Sequence, residues 1–481
     1  MKKWIYYLWM CVTGLLASSC IDNKVYEAKL PQDPAITDPK PYALPLDSNK
    51  TFIHPGCMVA QSDFDRAKTH IAAGDEPWTS AFTALKKATF FNRSLDATIL
   101  GERLEEQGAG GYLIRGSADQ TYYIEELDIY KKWGGNFDFE YQAMSAAYSK
   151  AVYWKLTGDT KYADEVVTIL NSWAKHCKGV TGDNNKYLCL MEAGYDFASV
   201  AELMRDYAGW KAEDQQTFKA WLQKVFVQSM VTFLKTHATS AAGSGSTHYW
   251  SNWDLGQMLA LACIGIYCDR PDLYNLALNY VTYGGGNGNW HRYIDYIHPA
   301  TPGEDDIDLG QTQEAGRDQG HNLLSIRLGG SLCRVAWNQK DDLYGYDDNR
   351  FLKAAEFVAK YNYGPLIEQQ QQMTKHLTYP FHAMFVNSDG DYHTKNSATD
   401  RGQFSSGFVS VFEHYKKYKN LPTRYVKWAA RTPMLNDSLR NLKADITKEV
   451  LIEPETYNHN QGAGSSFGTL LFTEDESKLT K

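Results

Sequence analysis

The sequence predicts an all-α protein built from helical pairs, and three observations support this prediction. Apolar residues recur at spacings of three and four in runs such as 141–156 and 162–173. A short polar turn that carries an aspartate joins each pair, as at Thr157-Gly158-Asp159. The same order of helix, turn and helix returns over 255–277 and 324–355. Such helical pairs either close into a ring, an (α/α) toroid, or stay open as a solenoid.

The ends of the predicted helices are marked by capping residues. Gly158 suits the position after a helix C-terminus, and Asp159 suits the cap of the next helix. We find no block of alternating strands before about residue 370. Beyond it, 376–386 fits strand or loop, 405–418 fits a helix, and the tail from about 433 fits short strands. We therefore predict a helical domain over 51–435 and a less regular C-terminal extension over 436–481.

The N-terminus resembles a bacterial lipoprotein signal. Lys2 and Lys3 precede an apolar stretch over 4–16, and small residues lead to Cys20. Residues 1–20 are thus predicted as the signal, with Cys20 as the lipidated residue; ordinary secretion is the alternative. The proline-rich segment 21–50 is predicted to be a tether. These features predict an exported monomer held in the bacterial envelope, on the periplasmic or cell-surface side of the outer membrane, by its lipid anchor alone.

Composition narrows the classes of protein that the chain can represent. Hydrophobic residues make up 43% of the 481 residues, which excludes disorder. The formal net charge of −8 argues against nucleic acid as a partner, and a polyanion would need a local basic site. Aromatic residues reach 14%, which suits sugar platforms or simply a core rich in large side chains.

The cysteines and acidic runs point to neither a metal nor a cofactor. No CxxC pair is present, so a structural zinc site is not predicted. Export permits a disulfide between Cys177 and Cys189, whereas Cys263 and Cys268 fit buried thiols. The acidic run 304–308 fits a solvated loop better than a calcium site.

Two polar interruptions between helices carry the candidate chemistry. The first, 242–254, is a small-residue loop that leads into an apolar helix, an approach that lets a ligand come close to the backbone. The second spans 289–321; if its end is helical, Glu314, Arg317 and His321 share one face. Both precede helices of the putative ring, where helix starts gather at one rim. The candidate residues are His248, Tyr249, Trp250, Asn252, Trp253, Trp290, Arg292, Tyr296, Gln313, Glu314, Arg317 and His321.

These residues carry a family resemblance. The segment Thr247-His248-Tyr249-Trp250-Ser251-Asn252-Trp253 resembles the His-Ser-Tyr-Trp-x-x-Trp region of alginate lyases, and Glu314 to His321 resembles a later helix of that group. When the Tyr-Trp pairs are superposed, the family's histidine aligns with Thr247. The resemblance covers about 60–360. It implies an (α/α) toroid, or incomplete barrel of helical hairpins, that cleaves a uronic-acid polysaccharide such as alginate or glucuronan by β-elimination.

Roles for the candidate residues follow from this chemistry. Removing the C5 proton of a uronate requires that its carboxylate be neutralised, for which Arg317 and Asn252 are the candidates. His248 is the candidate base. Tyr249 or Tyr296, with a pKa lowered by a positive neighbour, is the candidate acid, and His321 is the rival. Trp250, Trp253 and Trp290 are expected to stack on sugars, with Arg292, Gln313 and Glu314 as further binding candidates.

Two alternatives belong to other classes of protein. A glycoside hydrolase on the same fold would need two facing carboxylates, for which Glu314 with Asp305 or Asp306 are available. A non-catalytic glycan-binding lipoprotein would need the aromatic residues but little of the histidine and arginine set. Fold alone does not decide between them.

Overall fold

The computed structural model describes residues 47–97, 99–106, 110–116, 121–124, 129–132, 135–239, 247–403, 405, 407–431 and 467–474. The predicted signal with Cys20, most of the tether and most of the C-terminal extension lie outside these residues. So does the small-residue part of the first polar interruption, up to residue 246.

Helices dominate the described chain. They are α1 (Gln61–Ala73), α2 (Trp78–Lys87), α3 (Arg103–Glu106), α4 (Asp138–Thr157), α5 (Thr160–His176), α6 (Lys186–Met204), α7 (Ala212–Leu222), α8 (Gln228–Thr239), α9 (Ser251–Tyr267), α10 (Pro271–Tyr283), α11 (Trp290–Tyr293), α12 (Gln319–Asn338), α13 (Tyr346–Gln370), α14 (Phe408–His414), α15 (Val426–Arg431) and α16 (Gly468–Phe472). Gln223–Val227 and Tyr415–Lys419 are π-helical turns.

The predicted helical pairs are confirmed as α4–α5, α9–α10 and α12–α13. At the first turn, Gly158 adopts a left-handed conformation with φ of 77°, which glycine reaches without strain. The Asp159 side chain then accepts a hydrogen bond of 3.2 Å from the backbone N–H of Lys161, which caps α5. The local sequence therefore fixes where one helix stops and the next begins.

The helices form two layers of a toroid. In the inner layer, α4 packs on α6, α6 on α9, α9 on α12 and α12 on α14. The outer helices α5, α10 and α13 each pack on the inner helix with which they are paired. The burial patterns agree, because α9 is buried on almost every side whereas α5 buries a single stripe. The predicted all-α toroid is thus the observed fold.

Three inner helices begin at the same end of the toroid. The Gln257 side chain in the second turn of α9 donates a hydrogen bond of 2.6 Å to the carbonyl of Tyr187 in the first turn of α6. The hydroxyls of Ser251, which begins α9, and Ser325, near the start of α12, lie 3.3 Å apart. The partial positive charges of the three N-termini therefore gather at one rim.

The helix α16 joins the N-terminal helices to the last helix of the inner layer, because it packs on α1, α2 and α14. Arg66 of α1 donates hydrogen bonds to the carbonyls of Leu471 (2.7 Å) and Thr473 (2.8 Å). The hydroxyl of Tyr418, just beyond α14, donates a bond of 3.1 Å to Glu474. Part of the predicted extension is therefore an integral part of the domain.

Short strands interrupt the helices. Among the described residues, six lie before residue 370, where they form isolated pairs and no block of alternating strands, and two more follow it. They are β1 (Tyr112–Arg115), β2 (Thr121–Ile124), β3 (Ile129–Lys132), β4 (Gly179–Gly182), β5 (Ile294–His298), β6 (Leu309–Thr312), β7 (Met384–Phe385) and β8 (Tyr392–His393). They pair two by two, β1 parallel to β4 and the others as antiparallel neighbours. Strands this short are too brief to show a period-two pattern.

The disulfide that export would permit is not formed, since Cys177 and Cys189 are both buried free thiols. Cys177 ends α5, and its Sγ lies 3.7 Å from the carbonyl oxygen of Gly179. Cys263 is buried as predicted, and Cys268 is partly buried. Within the described ranges, no helix is both long enough and apolar enough to cross a bilayer.

Candidate active site

The two polar interruptions meet at the N-terminus of α9, around the carboxylate of Glu314. This side chain is fully buried. Its Oε1 accepts hydrogen bonds from the hydroxyls of Ser251 (2.8 Å) and Ser325 (3.0 Å) and from both the backbone N–H and the side-chain amide of Asn252 (2.9 and 2.8 Å). A carboxylate at a helix N-terminus is stabilised by the helix dipole and the free N–H groups. Glu314 thus ties the second interruption to α9.

Arg317 extends from this anchor into the site. Its Nη1 donates a hydrogen bond of 3.1 Å to Glu314 Oε2, and its Nε lies 3.5 Å from Asp318 Oδ2. The guanidinium carbon lies 4.6 Å from the centre of the Trp250 ring, a cation–π contact. About a quarter of the side chain is exposed, so Arg317 is held in place and still has N–H groups available to an anion.

His248 lies two residues before Trp250, within the first interruption. Its Nδ1 lies 2.6 Å from Asp389 Oδ2, and a third of its side chain is exposed. Its ring meets the ring of Tyr249 edge-on at 4.6 Å. A neutral imidazole that donates Nδ1–H to the aspartate keeps a free lone pair on Nε2.

Tyr249 lies in an apolar environment that differs from the predicted one. Its ring packs against Phe233 at 5.0 Å and Trp253 at 4.8 Å. Burial, with a smaller contribution from the charge of Tyr187, raises the pKa of Tyr249. The expectation that a positive neighbour lowers its pKa is therefore wrong. The phenol stays protonated at neutral pH, which suits a proton donor and not a base.

His321 does not share a helical face with Glu314 and Arg317, because residues 313–318 form a turn and α12 begins only at Gln319. Asp318 caps this helix by accepting a bond of 2.8 Å from the backbone N–H of His321. Its carboxylate also lies 2.8 Å from His321 Nδ1. The turn still delivers Arg317 and His321 to the same rim, with 40% of the His321 side chain exposed.

Tyr296 occupies a neighbouring part of the rim on β5. Its ring stacks on His382 at 4.0 Å, and about a third of the residue is exposed. His298, on the same strand, places Nε2 3.0 Å from Gln311 Oε1 on β6. Gln311 also donates a bond of 2.9 Å to the carbonyl of His382. Tyr296 is therefore accessible. Its ring contacts the rings of His298 and His382, and the Arg317 guanidinium contacts Trp250 instead.

Several predicted substrate contacts are corrected because the residues are buried and already paired. Trp290 is fully buried against Phe351 at 5.4 Å, so it is a core residue and not a sugar platform. Gln313 accepts a bond of 3.0 Å from the N–H of Ser251 and donates one of 2.9 Å to the carbonyl of Val386. Glu314 and Asn252 are likewise buried, and the side-chain amide of Asn252 donates a hydrogen bond to the Glu314 carboxylate. Both residues therefore hold the site in place and do not contact the substrate.

The other predicted binding residues are only partly buried. Trp253 packs against Tyr249 and lies 6.2 Å from Phe233. Arg292, on the single turn of α11, is half-buried, and its positive charge helps to hold down the pKa of Asp295, which burial raises. Trp250 alone of the three predicted sugar platforms contacts the Arg317 guanidinium within the described chain.

A hairpin that the sequence analysis missed completes the site. We call the segment from β7 to β8, Met384–His393, the 384–393 hairpin. Its second strand places the His393 ring against that of Trp250. The ring centroids lie 5.9 Å apart, and the ring planes are inclined by 21°. His393 also rests on Gly316, where an added Cβ would lie 2.5 Å from its Nδ1. The sequence signal for this hairpin was the Asp389-Gly390 turn, which follows the short apolar run 383–386.

Burial lowers the pKa of His393, and the positive charge of Arg317 adds to this effect while Asp391 opposes it. Its Nδ1 is buried, with no hydrogen-bond partner among the described residues. The ring is therefore neutral near pH 7. It adds an uncharged polar group beside the guanidinium of Arg317.

A small cavity lies inside the toroid, between α6, α9 and α12. Glu192, Tyr195, Gly256 and Arg327 line it together with apolar side chains. The Tyr195 hydroxyl is buried and has no hydrogen-bond partner in the described part of the chain. The lining of this cavity thus carries polar groups of both charges.

The carboxylates required by the glycoside hydrolase alternative are engaged elsewhere. Asp305 is buried, and its Oδ1 lies 2.6 Å from the Lys360 ammonium. Glu304 lies 3.4 Å from the same ammonium, and the exposed Asp306 lies 3.4 Å from Arg424 Nη1. Asp308 is also exposed, so only Glu304 and Asp305 depart from the predicted solvated loop. Glu314 is bound to Arg317. Over the described ranges, no group of three or more histidine, cysteine, aspartate or glutamate side chains could hold a metal ion.

The fold and the site together define a class of protein. A helical toroid whose rim gathers helix N-termini, an arginine, histidines and an accessible tryptophan suits a protein that acts on acidic sugar chains. Residues 113–289 match the family model described as alginate lyase. This match covers more than a third of the chain, includes the His248 segment and ends before Arg317. It confirms the predicted family resemblance, and the protein is a polysaccharide lyase.

Solved structures of alginate lyases are similar to this chain at low identity. The enzyme from Bacteroides ovatus shares 14% sequence identity over 88% of this chain and 100% of that one, with a TM-score of 0.49. Alginate lyase A1-III from Sphingomonas species A1 shares 13% over 90% and 98%, with a TM-score of 0.45. At these scores the likenesses carry no argument about the site. No curated protein sequence matches the chain.

Proposed function

We propose that the protein cleaves a polyuronate of the alginate type by β-elimination, at the rim where Trp250 meets Arg317. The observation that carries the proposal is the placement of Arg317, which Glu314 and Trp250 hold with part of its guanidinium exposed. An acidic sugar chain needs such a local positive site on a protein of net charge −8. The N-termini of α6, α9 and α12 add partial positive charge at the same rim.

The substrate carboxylate is assigned to Arg317 and to the neutral imidazole of His393 beside it. Pairing with the guanidinium withdraws charge from the carboxylate, so the C5 proton becomes more acidic. The same contact stabilises the enolate-like charge that develops as this proton leaves. Trp250, which already contacts Arg317, offers its free surface to the apolar face of a sugar ring.

His248 is assigned as the base that takes the C5 proton on its Nε2. Tyr249 is assigned as the acid that protonates the departing O4 oxygen, since its phenol is protonated at neutral pH and its ring lies 4.6 Å from that of His248. His321, which lies on the same rim, is the second candidate for the acid. The electron pair of the broken C5–H bond forms the C4–C5 double bond, and the C4–O4 bond breaks.

The test is an ultraviolet assay for the unsaturated product on polymannuronate, polyguluronate, glucuronan and an uncharged polysaccharide. We expect absorbance to rise with at least one polyuronate and not with the uncharged chain. His248→Gln should reduce the rate by about 100-fold or more, the range of general-base catalysis. The matched control is His376→Gln, because His376 is a surface residue whose side chain is 93% exposed. Equal rates for the two variants would refute the base assignment.

The N-terminal residues supply a proposal about location. We propose a monomer anchored by a lipid on Cys20, with 21–50 as the tether to a domain that spans 51–435 and includes 467–474 of the extension over 436–481. The support is the sequence pattern of charged, apolar and small residues before Cys20. Cys20→Ala should move the protein from the membrane fraction to the soluble fraction of cells. Analytical sedimentation of the purified protein tests the oligomeric state, and we expect the mass of a single chain.

A further inference from the structure

The 384–393 hairpin touches the His248 segment through two bonds at its tip. The backbone N–H of Ser388 donates to the carbonyl of Thr247 at 3.4 Å. One residue further along both segments, Asp389 Oδ2 lies 2.6 Å from His248 Nδ1. Ser388 and Asp389 of the hairpin tip therefore bind Thr247 and His248, and these two contacts fix the position of the hairpin relative to the His248 segment.

Asp389 is itself held in place by its own turn. The side-chain carbonyl of Asn387 accepts bonds from the backbone N–H groups of Asp389 (3.1 Å) and Asp391 (3.2 Å). The base of the tip is closed by a bond of 2.9 Å from the N–H of Val386 to the carbonyl of Asp391. Such a turn stabilised by asparagine presents Asp389 in one orientation toward His248.

This ion pair has little to contribute to stability, because 34% of the His248 side chain and 41% of the Asp389 side chain are exposed. Exposed pairs are screened by water and salt. Its effect on the imidazole is larger, because an acceptor at Nδ1 selects the tautomer that carries its proton there. The second nitrogen, Nε2, is then left with a lone pair for proton abstraction.

We infer that Asp389 is the positioning residue for His248, holding the orientation of the imidazole and keeping the proton on Nδ1. The inference rests on the proposed function, in which His248 takes the C5 proton. Neither Asp389 nor its hairpin lies within residues 113–289, the part of the chain that the family model matches. The C-terminal region would then supply a part of the active site that the matched segment lacks.

The experiment compares Asp389→Ala with Asp348→Ala, a control on the outer helix α13 whose carboxylate is 75% exposed and paired with Lys353. Nitrogen NMR of protein labelled at its histidines reports which ring nitrogen of His248 carries the proton, and His248→Gln identifies the signal. We expect Asp389→Ala to move this proton from Nδ1 toward Nε2. We expect kcat to fall on the order of 100-fold with a much smaller change in KM, since the lost effect is on the proton transfer step.

The two readouts separate failure of the inference from failure of the proposed function. An unchanged His248 tautomer in Asp389→Ala, or the same kcat loss in Asp348→Ala, would overturn the inference. If His248→Gln retains full lyase activity while the tautomer still depends on Asp389, the positioning stands and the base assignment fails. Thermal unfolding of each variant, expected to match the wild type, shows that the fold is intact.

Discussion

The guanidinium of Arg317 stacks on the ring of Trp250 at 4.6 Å, and this contact joins the two polar interruptions of the sequence into one site. Glu314 reinforces the junction, because it binds Arg317 through one oxygen and the start of α9 through the other. The charge that would receive a uronate and the aromatic surface that would receive its ring are therefore fixed relative to each other.

Arg317→Lys should lower lyase activity although it keeps the positive charge. Lysine offers a point charge that neither stacks on Trp250 as a plane nor forms the planar fork that matches a carboxylate. We expect kcat/KM to fall by about 100-fold, the cost of removing one donor to a developing charge. Steady-state kinetics on the best polyuronate measure this. The control is Arg424→Lys, an arginine with a partly exposed side chain paired with Asp306, which should behave as wild type.

Glu314→Gln should destabilise the protein as well as reduce its activity. Both oxygens of Glu314 face donors, so the new amide N–H₂ must point at one of them. An unsatisfied buried donor costs about 1–3 kcal/mol. Urea unfolding gives the free energy difference. Glu102→Gln, at a side chain that is nearly half exposed, should cost far less, and equal losses would contradict the role given to Glu314.

Gly316→Ala should disturb the site by steric contact with His393, because the added Cβ would lie 2.5 Å from Nδ1 and 2.6 Å from Cβ of that residue. We expect kcat/KM to fall by about 10- to 100-fold as the hairpin shifts. In a double-mutant cycle of thermal stability, adding His393→Ala should recover part of the loss because it removes the ring contacts, leaving only the contact with Cβ. If the stability losses of Gly316→Ala and His393→Ala simply add, contact between these two residues is not the cause of the loss.

Trp250 and Trp290 should respond differently to substitution. Trp290→Ala leaves a cavity beside Phe351 and should cost about 3–5 kcal/mol of unfolding free energy. Trp250→Ala should instead raise KM for the polysaccharide, with a smaller loss of stability. Denaturation and kinetics measured on the same samples distinguish the two effects. A pure KM effect from Trp290 would mean that its ring reaches the substrate after all.

Stability should fall as the pH rises through neutrality, because burial raises the pKa of Glu413 to about 7. The folded state then binds a proton that the unfolded chain releases near its ordinary value of 4.5, so the stability present below that pH is lost between about 4.5 and 7. Glu413→Gln, which mimics the protonated acid, should remove a loss on the order of 3 kcal/mol from the pH profile of unfolding. Glu213→Gln, at an exposed residue, should leave the profile unchanged.

The helical framework was predictable because its signals are local. The stripe of α5 and the cap at Asp159 are encoded within a few neighbouring residues, and both were found in the sequence. The site was predictable in part, since His248, Trp250 and Arg317 stand out as polar and aromatic groups before apolar helices. Their individual contacts belong to tertiary packing, as the burial of Trp290 shows.

The 384–393 hairpin escaped prediction for the same physical reason. Its strands contain two residues each, and its partners, the His248 segment and the turn at Gly316, lie far away in the sequence. The turn that replaces the predicted helix before α12 likewise depends on Glu314 being drawn into the N-terminus of α9. Both features follow from distant contacts, and a single sequence does not display them.

The most direct test of elimination at this rim is the mass of the fragments released from the preferred polyuronate. The account predicts that every cut releases one fragment with an unsaturated sugar at its non-reducing end, one water lighter than the hydrolysis product, and that Arg317→Ala releases almost none. Fragments that all have the full mass of hydrolysis products, or undiminished release by Arg317→Ala, would contradict it.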